Sequence, residues 1–331
     1  MLDRENATWE QVWEQLQTLF WIYADSLGPA FSPLNIVATL SLCLTLWLIW
    51  RPGISFFAWA FPARVYRNPS FWLDAKLFYL NWFIGMFTSL SFAVVATATA
   101  VGVAHGLGLG PARPEDRNPI LSALVIFLAA DLVLYAYHRL NHEKPLLWVF
   151  HALHHSAEEM SPVTAFRHHP FYTMVIGLIS PIAVGIVQGL AMAFIFGTFD
   201  VAMLAGTNVF LALLNLATNN LKHSHIPMRY PGWLEHVLIS PAQHQVHHSI
   251  DPRHFNRNYG DTLALWDWMF GTLYIAQPGE KIRFGLGDAA GNPLPQRHPD
   301  LSTALVEPVG QARALLWRKA DAVKKDVQRL E

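Results

Sequence analysis

Long apolar runs separated by short polar ones dominate the chain. Crossing a bilayer takes about 20 mostly apolar residues of helix. Four stretches reach about that length: Leu34 to Trp50, closed by Arg51-Pro52; Leu77 to Val103, ending in the glycine-rich Gly106 to Gly110; Pro119 to His138; and Phe171 to Phe196. A fifth, Val201 to Asn219, follows the short Gly197 to Asp200 turn. Ile54 to Phe61 is too short to span and reads as a re-entrant or interfacial piece. Residues 1–25 place Trp9, Val12, Trp13, Leu16, Leu19, Phe20 and Tyr23 at helical spacing, the pattern of an amphipathic interfacial helix. Beyond Tyr274 the chain turns polar, and Leu301 to Glu331 is a charged stretch suited to a surface helix. The expected fold class is an all-α integral membrane protein with about four to five transmembrane or membrane-embedded helices. A cytoplasmic, histidine-rich helical cap completes it.

Charge gives the orientation. The loop from Arg51 to Lys76 carries Arg51, Arg64, Arg67 and Lys76 against the single acid Asp74, which predicts a cytoplasmic position. Arg139 to Pro170 and everything after Asn219 then fall on the cytoplasmic side. The N-terminus, the Gly110 loop and the Gly197 to Asp200 turn fall outside. Hydrophobic residues make up 53% of the 331 and charged residues only 14%, against roughly 25% in soluble domains. A net charge of −1 leaves no electrostatic footprint for nucleic acid. Cys43 is the one cysteine, which excludes an intrachain disulfide, thiolate zinc fingers and cysteine-held iron–sulfur clusters. Met1 to Glu14 is acidic, so no cleavable signal peptide is expected.

The candidate chemistry lies in three histidine clusters: His138-x3-His142, His151-x2-His154-His155 and His244-x2-His247-His248. Residues three and four apart share a helix face, so each cluster aims its rings in one direction. All three fall on the same predicted side of the membrane. Ser240-Pro241 predicts a helix start just before the last cluster. His223 extends an i, i+4, i+8 stripe with Asn215 and Asn219, where Asn219 is placed to orient a ligand. His225 and, before the fourth span, His169 are further candidates. Asp131 shares a stripe with Tyr135, His138 and His142, and is expected to hold a ligand imidazole from behind. Glu143 reads equally as such a support or as a surface acid beside Lys144. Eight or more imidazoles exceed one metal's coordination sphere, so two metals are implied. Nitrogen donors suit Fe, Zn, Cu or Ni rather than Mg or Ca.

The ordered motifs resemble the fatty acid hydroxylase/sterol desaturase superfamily. They are Asp131-x3-Tyr135-x2-His138-Arg139-x2-His142, His151-x2-His154-His155-Ser156, Arg167-x-His169-Pro170, His223-Ser224-x-Ile226 and His244-x2-His247-His248, followed by Asn258-Tyr259-Gly260, Trp266-Asp267 and Phe270-Gly271-Thr272. His142-Glu143, Trp148 and His154-His155-Ser156-x-Glu158 are also similar to the alkylglycerol monooxygenase branch. The resemblance covers roughly residues 120 to 275 and implies a membrane non-haem di-iron enzyme. It would use O₂ and outside electrons to hydroxylate or desaturate a fatty acyl, sterol or ether lipid drawn from the bilayer. Two iron ions cycling between Fe2+ and Fe3+ would be held by His138, His142, His151, His154, His155, His223, His244, His247 and His248. Many members have Asn where this chain has His225. A separate reductase, ferredoxin or cytochrome b5-type donor is expected, as is a bacterial inner membrane rather than the endoplasmic reticulum. A metal transporter is the rival reading, although it would place its ligands near the bilayer midplane. The expected division is an interfacial segment 1–33, a first span pair 34–118, a catalytic domain 119–275 and a soluble tail 276–331.

Overall fold

The structure, a computed structural model, describes residues 33–110, 118–198, 214 and 218–328. The expected interfacial helix of residues 1–25 and most of the fifth apolar run lie outside them. Every regular element among the described residues is a helix, and strand-like pairing is confined to two isolated bridges, Leu238–Leu263 and Gly287–Pro293. Among the described residues three helices are long and apolar enough to cross a membrane: α1 (Pro33–Trp50) and, further along, Pro119–Glu143 and Pro170–Phe196. After α1 come two short helices, α2 (Phe56–Ala60) and α3 (Ala63–Tyr66). They cover the segment expected to be interfacial. The Trp47 indole donates to the Ile54 carbonyl at 2.9 Å and so folds α2 back on α1.

Helix α4 (Pro69–Gly106) begins two turns before the expected span. Asn68 caps it, its side chain accepting from the Ser70 amide at 2.8 Å, and Pro69 has the preset φ of a first-turn residue. At about 1.5 Å per residue its 38 residues run for about 57 Å, well past a hydrocarbon core of about 30 Å. The extra turns carry Ser70 and Asp74 up to the histidine-bearing head.

Helices α5 (Pro119–Glu143) and α6 (Pro145–His155) meet at Lys144. Pro145 excludes the residue before it from helical geometry, and Lys144 is extended at φ −104° and ψ 114°. That bend folds the second histidine cluster back over the first. Helix α7 (Pro170–Phe196) packs along α4 through Gly185 and Gly189, one turn apart. A Cβ on Gly189 would lie 2.6 Å from the Ala100 carbonyl oxygen, so the two backbones are in contact. Small residues that admit such close approach are a main source of helix association in lipid.

The head is completed by α8 (Asn219–Lys222), α9 (Pro241–His247), α10 (Leu265–Phe270) and α11 (Leu301–Gln328). Helix α9 starts where the sequence predicts. Ser240 accepts from the Gln243 amide at 3.2 Å, and the Gln243 side chain accepts from the Ser240 amide at 2.9 Å. The C-terminal segment packs on the head: Ala304 joins Leu73, Leu77 and Leu153 in one apolar cluster, and Ala312 joins Val149, Phe150 and Tyr172 in another.

Replacing Gly189 with Leu forces α4 and α7 apart at Ala100. The expected outcome is a loss of about 1–3 kcal/mol, the usual cost of overpacking, seen as a lower unfolding temperature in detergent. The same change at exposed Ile179 of α7 should be silent, and equal effects at the two positions would overturn the close-packing account.

Candidate metal centre

Nine histidines converge in two groups. His138, His142, His151, His155 and His247 form one, and His154, His223, His244 and His248 the other; within each, one ring nitrogen per residue lies within 4.8 Å of all the rest. The nitrogens are in near contact. The Nε2 atoms of His151 and His155 are 3.2 Å apart, as are those of His154 and His223, while His223 and His244 are 3.0 Å apart. Such spacing fits neighbouring donors around one ion bound at about 2.1 Å. The Nε2 atoms of His142 and His247 are buried with no protein partner. Unpartnered buried donors of this kind call for an ion. The groups adjoin, since the His155 and His248 rings stack at 4.3 Å.

Burial keeps these rings neutral. Desolvation is the first cause driving His151, His154, His155, His223, His244, His247 and His248 well below the ordinary imidazole range, with the neighbouring rings adding to it. Neutral imidazole is the metal-binding form. Two backbone carbonyls fix which nitrogen is offered. His138 Nδ1–H donates to the Tyr259 carbonyl at 2.7 Å and His247 Nδ1–H to that of Arg257 at 2.8 Å, leaving both Nε2 lone pairs for the centre.

The Asn258-Tyr259-Gly260 and Trp266-Asp267 motifs hold those carbonyls. Asn258, at φ +54°, donates from its side chain to the Gln243 and Tyr274 carbonyls at 3.0 and 2.9 Å. The Asp267 carboxylate accepts from the Tyr259 and Gly260 amides at 2.9 and 2.7 Å and from the Thr272 hydroxyl at 2.6 Å. A side chain at Gly260 would strike the Asp267 carboxylate and the Leu263 carbonyl, so this close approach requires glycine.

Several expected site residues are employed elsewhere. Asp131 touches no imidazole: it accepts from Trp266 Nε1 at 2.8 Å and from the Thr262 and Leu263 amides at 3.3 Å. Those partners lie far along the chain, beyond the reach of helix periodicity. Asn219 opens α8, which ends at Lys222, and His223 turns out of the helix at φ −100° and ψ 66°. The stripe that led to His223 is therefore broken, although His223 joins the second group. It is Asn220 that is buried there, donating to Thr39 at 3.0 Å. Asn215 lies outside the described residues. Glu143 forms a surface ion pair with Arg139 at 2.7 Å. His169 stands apart from both groups: its Nδ1 accepts from the Phe171 amide at 3.1 Å, capping α7, and its Nε2–H donates to the Leu305 carbonyl at 3.0 Å. His225 Nε2–H donates to the Trp59 carbonyl at 2.8 Å.

Other residues, among them Arg167 from the motifs, also shape the centre. His168 is sandwiched between His154 and Tyr172, at ring distances of 4.5 and 4.8 Å. Its backbone carbonyl accepts from Asn81 at 2.7 Å. Fully buried Arg167 donates to the Leu153 carbonyl at 2.9 Å, to Ser156 Oγ at 2.9 Å and to Asp74 at 2.6 Å, so it pins the end of α6 onto α4. From the C-terminal segment Gln296 donates to the Ser156 carbonyl at 2.8 Å, and His298 lies 3.3 Å from Ser156 Oγ. A cavity of about 220 Å³ opens onto the five-histidine group alone, between His142, His155, His247, Trp148, Phe255 and the backbone of Gly285 to Gly287.

Residues 123–272 match the family model described as fatty acid hydroxylase. Over that segment the chain is similar to the fatty acid hydroxylase family. All nine grouped histidines lie inside the match. Among curated relatives, the alkylglycerol monooxygenase of Danio rerio is 31% identical over 50% of this chain and 33% of its own length. That of Homo sapiens is 31% identical over 48% and 32%. The ornithine lipid hydroxylase OlsE of Rhizobium tropici is 30% identical over 48% and 44%. The chain thus spans less than half the length of these relatives. No solved structure matches it.

Two outcomes test this geometry. Asp74→Ala leaves the buried Arg167 charge unpaired and should cost about 3–5 kcal/mol. The double variant Asp74→Leu, Arg167→Met should lose less, as measured by denaturant or thermal unfolding; equal losses would remove the ion-pair account. The second outcome concerns acid. Burial pushes His168 down to about 4 from an ordinary 6.5. Between those values the unfolded chain takes up protons that the folded chain refuses. Stability is therefore full above 6.5 and lost as pH falls towards 4. After chelation of metal, the unfolding temperature should drop between pH 7.5 and 5 by at least about 2–4 °C; a flat profile would contradict it.

Proposed function

We propose that this chain is a membrane-bound di-iron oxygenase that hydroxylates or desaturates a C–H bond of a bilayer lipid, using O₂ and electrons from a separate donor. The observation that carries the reading is the pair of all-nitrogen groups, one of five and one of four histidines. Their number matches two ions rather than one, and imidazole donors suit iron. The similarity to the fatty acid hydroxylase model and the relatives' names support oxygen-dependent lipid chemistry. By those names the relatives act on alkylglycerols and on ornithine lipid.

Iron held by these histidines would supply the reduction of O₂ to an oxidant able to take hydrogen from an unactivated carbon. Hydroxylation consumes O₂, two electrons and two protons, placing one oxygen on carbon and releasing the other as water. Desaturation uses the same inputs, removes two hydrogens from the lipid and releases two waters. The chain's own part is positioning. Tyr259 and Arg257 carbonyls hold the His138 and His247 rings with Nε2 turned inward, and stacking against His168 holds His154. Burial excludes water and keeps the donors unprotonated. An ion held by His138, His142, His151, His155 and His247 would face the cavity beside Trp148, the side from which a co-substrate would reach it. The basic loop of Arg51, Arg64, Arg67 and Lys76 favours a cytoplasmic position for the centre, within reach of soluble electron donors.

Purified protein should contain about two irons per chain. Cells with and without the gene should differ by a lipid that gains one oxygen or loses two hydrogens, read by mass spectrometry. His154→Ala should abolish that product. One metal per chain, or zinc with no O₂-dependent product, would overturn the di-iron reading.

A further inference from the structure

The exposed apolar rim of the head can be assigned a depth. Arg113 to Asn118 is polar, so the apolar part of α5 begins at Pro119. A core of about 30 Å then takes about 20 residues and ends near Tyr137 or His138. At about 1.5 Å per residue, Asp131 stands about 18 Å from Pro119 and so about 12 Å inside the far boundary. Asp131 is bonded to Thr262, Leu263 and Trp266, which places the start of α10 at that depth. Packing says the same: Leu263, Leu265, Trp266 and Leu238 share an apolar cluster with Leu124, Phe127, Leu128 and Leu132 of α5.

We propose that residues 233–238 and 262–270 form a wedge seated in the acyl region of the bilayer, with Trp233, Val237, Trp268, Met269 and Phe270 facing lipid. The proposal rests on reading α5 as a membrane span. Those five side chains are 72, 41, 58, 61 and 51% exposed. The two parts adjoin through the His236 and Trp268 rings, 5.8 Å apart. Acidic groups in the wedge turn inward, Glu235 and Asp267 both being 0% exposed. The neighbouring Asp261, half-exposed, is 3.7 Å from the Lys222 ammonium.

Non-helical backbone is tolerated at membrane depth only where its polar groups are satisfied within protein. Here the Ile239 amide donates to Thr262 and the Ala264 amide to Val237, at 3.0 and 2.9 Å, and Thr262, Leu263 and Ala264 are buried. An apolar, uncharged face built on satisfied backbone fits hydrocarbon better than water. The occupant is therefore the acyl chains of the bilayer, continuous with those around α5.

Spin labels in liposomes test this, in a Cys43→Ala background that removes the native thiol. Label is attached at Met269→Cys, at Ile179→Cys in the middle of α7, and at Lys281→Cys on the exposed C-terminal segment. Collision with O₂ relative to a water-soluble nickel chelate reports depth. Position 269 should match 179, with a ratio severalfold above that of 281. A ratio at 269 equal to that at 281, with 179 still protected, overturns the wedge alone. Low ratios at both 269 and 179 overturn the spanning reading and the wedge with it. Bromine-labelled acyl chains give a second measure: Trp268→Phe should lower the quenchable fraction of tryptophan emission, and an unchanged fraction counts against the wedge.

Discussion

Nine imidazoles with their nitrogens turned towards one another can coexist in a dry interior only while uncharged. A proton on any one of them would sit without water among the others. Lone pairs 3.0 Å apart also gain nothing from each other without an ion between them. The centre therefore contributes little to its own assembly and has to be held by forces outside it. Those forces are the glycine-mediated contact of α4 with α7, the bend at Lys144-Pro145, and a set of buried carboxylates.

The carboxylates divide the labour clearly. Asp74, Asp131 and Asp267 are all buried, and none belongs to either donor group. Each instead accepts several hydrogen bonds: those to Asp74 and Asp131 join segments distant in sequence, and those to Asp267 close a local loop. Asp74 fixes the end of α6 through Arg167 and Thr164, Asp131 fixes the approach to α10, and Asp267 fixes the loop whose carbonyl orients His138. A buried carboxylate is costly unless fully bonded, and the number of donors around each of these offsets that cost. The anionic groups serve as fasteners and leave the donor set neutral.

The three clusters, and the three expected spans that α1, α5 and α7 match, were legible because both obey helix geometry, and a single sequence displays that period directly. The same rule failed wherever a partner came from another element. Asp131 shares a stripe with His138, yet its hydrogen bonds go to residues 262–266. His169 looks like one more ligand beside a proline, yet both its nitrogens are committed to backbone. His223 was reached by continuing a helix that in fact stops at Lys222, so the residue fits the centre for a reason its stripe does not supply. The polar composition after Tyr274 marks a soluble tail with a surface helix but not its contacts: Ala304 and Ala312 are small enough to dock on α4 and α6. His298 and Gln296 follow them to Ser156, a contact that no local pattern marks.

One helix connects the lipid-facing and the metal-facing parts of this arrangement. On α5, Asp131, Tyr135, His138 and His142 succeed one another at steps of four, three and four, along one face. The first holds the loop before α10, the second bonds Thr272 just beyond it, and the last two enter the five-histidine group. Because a helix resists stretching, the distance from the Asp131 level to the donors is set by rise per residue, about 10 Å to His138. The height of the five-histidine group above any lipid packed beside α10 is thereby fixed. In the oxygenase reading, the position along an acyl chain that meets the centre depends on this spacing as much as on the walls of the cavity beside Trp148.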